Sequence, residues 1–60
     1  MTREEMQKSL MMIAIKKINL QVELGSIDPD DGFKELVEYS KYLSDKSDLE
    51  IQNIFAINFY

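Results

Sequence analysis

The sequence predicts an all-α fold, a helical hairpin plus a short third helix, assembled into a homo-oligomer. Three observations carry this. Two runs with helical apolar spacing open on capping boxes. The break between the first two helices is short, which favours antiparallel neighbours. The first helix has more apolar circumference than two short companions can cover.

The first helix is expected over about residues 3–24. Thr2 and Glu5 stand three apart and make a capping box, and Glu4 and Glu5 suit the positive end of the helix dipole. The interior holds neither Gly nor Pro, and Gly25 supplies the stop. A second helix follows over 29–44. Asp28 is its expected cap, Pro29 sits at the first position, and Asp30 and Asp31 load the first turn. After the polar stretch Ser44-Asp45-Lys46-Ser47, a second capping box (Ser47, Glu50) opens a third helix over 48–58. Residues 51–60 are rich in β-branched and aromatic side chains and suit a strand as well. A lone strand has no partner here, so helix is the expectation. Residues 1–60 make one small domain.

At about 100° per residue, Met6, Leu10, Ile13, Leu20 and Leu24 form one stripe of the first helix, interrupted by Lys17. Met11, Ile15, Ile18 and Val22 form a second, roughly 150° away. The second helix offers Phe33, Leu36, Val37 and Leu43 as its apolar face, and the third Ile51, Ile54 and Phe55. These two cover one stripe and leave the other for a second copy. Met11, Met12, Ile15, Ile18 and Val22 are therefore the expected self-association residues. In the alternative arrangement the two short helices straddle the first and cover both stripes within a monomer.

Composition narrows the function classes. The chain is 45% apolar and 30% charged, which is the balance of a folded protein. It has no Cys and no His, so no disulfide, no zinc site and no cofactor is expected. The commonest general base and the best nucleophile are both missing, so no catalytic residue is assigned and an enzyme is not expected. A chain this thin can hardly enclose a pocket of the usual ~300 Å³ or more. The cluster Asp28–Gly32 fails the calcium-loop pattern, because the fifth position is Gly32 and the twelfth Tyr39. No segment reaches the ~18 apolar residues of a membrane helix, and the early acids argue against a signal peptide. A cytoplasmic location is the expectation.

The net charge is −4, which disfavours general nucleic-acid binding. Residues 1–22 carry a net +2, and residues 23–60 carry nine acids against three Lys, a net −6. The second helix therefore presents an acidic face. Glu35, Glu38, Tyr39 and Tyr42 are its candidate partner-binding residues, since Tyr is enriched at interface hot spots. The expected function is that of a small, acidic, non-enzymatic protein–protein interaction module, an inhibitor or adaptor that occupies a surface of a larger protein. A structural subunit of a homo-oligomer is the first alternative and a small helical transcriptional regulator the second. Against the regulator, the third helix offers Gln52, Asn53 and Asn58 but no Lys or Arg. In size, acidity and lack of catalytic residues the chain is similar in style to small accessory proteins of phages and mobile elements. That similarity is one of composition and covers no motif.

Overall fold

The computed structural model describes residues 1–59, and Tyr60, the last residue of the stretch weighed as a strand, lies outside them. The described residues form three helices and no strand: α1 (Arg3–Glu23), α2 (Pro29–Ser44) and α3 (Asp48–Phe59). The expected bounds differ from these by one residue at the C-terminal ends of α1 and α3.

Both capping boxes form. The Glu5 N–H donates to Thr2 Oγ1 at 3.2 Å and the Thr2 N–H returns to Glu5 Oε1 at 3.3 Å. The Glu50 N–H donates to Ser47 Oγ at 3.3 Å and the Ser47 N–H to Glu50 Oε1 at 3.3 Å. Each carboxylate accepts these bonds in its charged form, which holds Glu5 and Glu50 below their ordinary carboxyl pKa. At the other end of α1, Gly25 takes φ +76°, a conformation glycine adopts without steric cost. It donates to the Val22 carbonyl at 3.1 Å, and Ser26 donates to Gln21 at 2.9 Å. This is a Schellman stop. Asp28 does not behave as expected. It occupies the cap position of α2, but its carboxylate makes no capping hydrogen bond. Its carbonyl instead accepts from Gly32 at 2.9 Å. Pro29 has no N–H to satisfy and the rest of that first turn is exposed, so water can meet its free donors.

The helices run in an order fixed by contacts at both ends of α1. Arg3 reaches the C-terminus of α2, donating to the carbonyls of Leu43 at 3.3 Å and Ser44 at 3.2 Å. Gln7 donates to Leu43 as well, at 3.2 Å. At the opposite end of the hairpin, Gly32 of α2 lies against Ile18 and Val22. α1 and α2 are therefore antiparallel. Arg3 also pairs with Asp48 at 2.8 Å, so α3 starts beside the start of α1 and runs alongside it. One guanidinium thus ties three helices together and meets the last carbonyls of α2, where positive charge suits the dipole.

α2 and α3 straddle α1 and barely touch each other, so the expectation that both would cover one stripe and leave the other whole is corrected in favour of the alternative arrangement. α3 covers the stripe that begins with Met6 and Leu10, and α2 covers the stripe that holds Ile18 and Val22. The core sits where all three converge: Met6, Leu10, Leu43 and Ile51 are buried, with Met11, Tyr39, Ile54 and Phe55 packed around them. Coverage then fails with distance. α3 has 12 residues against 21 in α1, so it stops short, and Leu20 and Leu24 of the same stripe remain exposed.

The face assigned to α2 needs correction. Phe33 is 68% exposed and Val37 also faces solvent. The residues that meet α1 are Gly32, Leu36, Tyr39 and Leu43, at helical spacing. The cause is Gly32. A Cβ there would lie 2.7 Å from the Ile18 Cγ2 methyl and 3.4 Å from methyls of Ile27 and Val22. The first turn of α2 approaches α1 so closely that glycine becomes the contact residue, which turns Phe33 and Val37 to the side.

Candidate interaction surfaces

The hairpin offers two different faces, one on the side of α3 and one away from it. On the α3 side, an open groove of about 370 Å³ runs between the three helices. Leu10, Ile13, Ala14, Ile18 and Leu36 make its apolar lining. Lys17 and Gln21 line it from α1, Glu35 and Tyr39 from α2, and Asn58 from α3. Its volume reaches the range of ligand pockets, which the thinness of the chain had argued against. Two helices that splay from a third leave such a cleft without needing a thick core.

The α2 wall of this groove is acidic. Asp31, Glu35, Glu38 and Tyr42 recur at spacings of four, three and four, so they share one stripe of the helix. All four are exposed. Tyr42 is pre-positioned: its ring stacks on Tyr39 with centroids 6.1 Å apart, and Lys46 Nζ lies 4.5 Å over its centre. Lys46 in turn reaches Glu50 at 3.8 Å. Tyr39 is half-buried, and burial raises its phenol pKa, with Tyr42 adding to the rise. The partner-binding residues expected from sequence therefore fall on one side: Glu35 and Tyr39 line the groove, and Glu38 and Tyr42 flank it.

The second face lies opposite. Met12 and Ile15 project there from α1, and Phe33 and Val37 from α2, by the same wheel arithmetic. All four are exposed. Of the other expected self-association residues, Met11 is half-buried against the core. Ile18 and Val22 are half-buried beneath Gly32, and Ile18 also lines the groove. Phe33 and Val37 were missed as surface residues, and so were Leu20 and Leu24. The signal for the first pair was Gly32 itself. A glycine inside a helix costs about 1 kcal/mol against alanine, so its presence there points to a close approach.

Among the described residues no group of three or more acids converges on a point that could hold a metal ion. No helix among them is long and apolar enough to cross a membrane. No protein-family model, curated protein or solved structure matches the chain.

Proposed function

We propose that this chain is a protein-interaction module that occupies a surface of a larger protein as an inhibitor or adaptor, and that two copies pair through the hairpin face away from α3. The carrying observation is the apolar surface the folded chain leaves open on that face: Met12 is 54% exposed and Phe33 68%, with Ile15 and Val37 exposed beside them. Large exposed apolar side chains grouped on one face mark interfaces.

The pairing is supported by the charges around Met12, Ile15, Phe33 and Val37. On that face α1 carries Lys8 and, in the capping box, Glu5 toward its start and Glu23 at its end, and α2 carries Asp30 near its start and Lys41 toward its end. Lys8 and Glu23 are mirror positions about Ile15 and Lys16. Asp30 and Lys41 are mirror positions about Glu35 and Leu36. The Ile18–Gly32 and Gln7–Leu43 contacts put these two midpoints at one height on the hairpin. A two-fold axis through them would lay each helix antiparallel to its own copy. It would set Lys8 against the second copy's Glu23, and Asp30 against its Lys41. An isologous interface requires such self-complementarity.

Site-specific photo-crosslinking in the source cell tests both parts. A crosslinker at Phe33 should yield a dimer of the chain. One at Tyr42 should yield a single adduct with a larger protein, and that adduct should vanish when the exposed Glu35 and Glu38 are changed to Ala with helicity retained. Adducts that do not depend on crosslinker position, or a Tyr42 adduct that survives the double change, would overturn the reading.

A further inference from the structure

Resting on the reading of the chain as an interaction module, we propose that the groove between α1, α2 and the end of α3 binds an amphipathic helix of the partner whose apolar stripe is flanked by Lys or Arg. Three features select this occupant. The lining is apolar along its length, with Leu10, Ile13, Ala14, Ile18 and Leu36, as an apolar helix stripe requires. Along α1 the groove extends from Leu10 to Gln21, a distance of about 16 Å at 1.5 Å per residue. That accommodates three turns, with anchors at i, i+3 or i+4, and i+7. The α2 rim carries Asp31, Glu35 and Glu38 in one stripe, and among the described residues the cation lining the groove is Lys17 on the opposite wall.

Charge complementarity therefore asks for a helix that is basic on the flank facing α2 and neutral or acidic on the flank facing Lys17. Tyr42, stacked on Tyr39 beneath Lys46, supplies a rigid aromatic edge at one end of the acidic stripe. Little rotamer freedom remains for Tyr42 to lose on binding. The acids on the rim steer the encounter and choose the partner, and the lining supplies the burial.

The probe is a fluorescein-labelled helical peptide of about 14 residues, with Leu at the anchor positions and Lys along one flank. Anisotropy titration should show it binding at least about tenfold tighter than the same peptide with Glu for Lys. A peptide with Ser for Leu should not bind. The exposed double change Glu35→Lys, Glu38→Lys should reverse the preference between the Lys and Glu peptides. Ala14→Phe, which fills the lining without entering the core, should abolish binding with circular dichroism unchanged. The proposal is overturned if the Lys and Glu peptides bind alike or neither binds, if the Ser peptide binds as well as the Leu peptide, or if Ala14→Phe leaves affinity intact. Loss of the peptide result while the Tyr42 adduct persists would reject this ligand class and leave the interaction module standing.

Discussion

Gly32 decides how α2 meets α1, and it sets two effects against each other. Replacing it with alanine should help the helix by about 1 kcal/mol from propensity alone. The new methyl would fall 2.7 Å from Ile18 Cγ2, which sits on a stiff β-branched carbon and cannot swing aside cheaply. Overpacking of this kind typically costs about 1–3 kcal/mol. Gly32→Ala should therefore lower stability by about 1 kcal/mol, and in a chain this small that means a Tm lower by about 4–8 °C. Urea unfolding of Gly32→Ala, Ile18→Ala and the double variant checks it. If the clash is the cause, the double variant loses less than the two single losses combined. A Gly32→Ala protein more stable than the parent by the full propensity gain of about 1 kcal/mol would show that α2 does not press on Ile18.

The elements themselves were largely legible, because their ends are encoded by neighbours in sequence. Thr2 with Glu5, Ser47 with Glu50, and Gly25 each act within a few residues, and all three behave as their spacing predicts. What could not be read is what depends on distance. The faces of α2 turned on a close approach 14 residues away along the chain from Ile18 to Gly32, and Arg3 closes on carbonyls of Leu43 and Ser44, a whole hairpin further on. The exposure of Leu20 and Leu24 likewise follows from α3 being too short for α1, which matters only once their starting points are known to coincide. The local caps have a pH signature of their own. The folded pKa of Glu5 and of Glu50 lies below the ordinary value of 4.5, so the stability they lend is present above that value and lost as pH falls through the lowered one. Glutamine can still close a capping box but does not titrate. Changing both residues to Gln should leave helicity near neutral pH almost unchanged and flatten its fall on acidification, read by far-UV circular dichroism. An acid transition identical to the parent's would mean that neither cap contributes to it.

At the scale of the whole molecule, the question is whether 60 residues, with four buried apolar side chains among those described, suffice alone. Chains of this size bury only about 60% of the surface that unfolding exposes, and with no Cys this one has no disulfide to supplement the core. Pairing through Met12, Ile15, Phe33 and Val37 would add burial where the monomer has least, on the half of the hairpin that α3 does not shield. Such a patch is small, so the dimer should be weak and visible as a concentration dependence rather than a fixed state. In sedimentation equilibrium the average mass should rise from 7.0 kDa toward twice that value with concentration, and Tm should rise with it. Ile15→Glu with Phe33→Glu should hold the mass at the monomer value. The charge pattern gives a sharper criterion. Lys8→Glu alone should weaken pairing, because it sets like charges against each other at both ends of the α1–α1 contact. Adding Glu23→Lys should restore pairing, because the swap recreates each opposite-charge contact in reverse. An antiparallel two-fold contact sets Lys8 of each copy against Glu23 of the other, so restoration would support that symmetry for the pair. Its absence, with dimerisation otherwise intact, would discard the antiparallel two-fold arrangement, and a mass that never departs from the monomer value would discard pairing altogether.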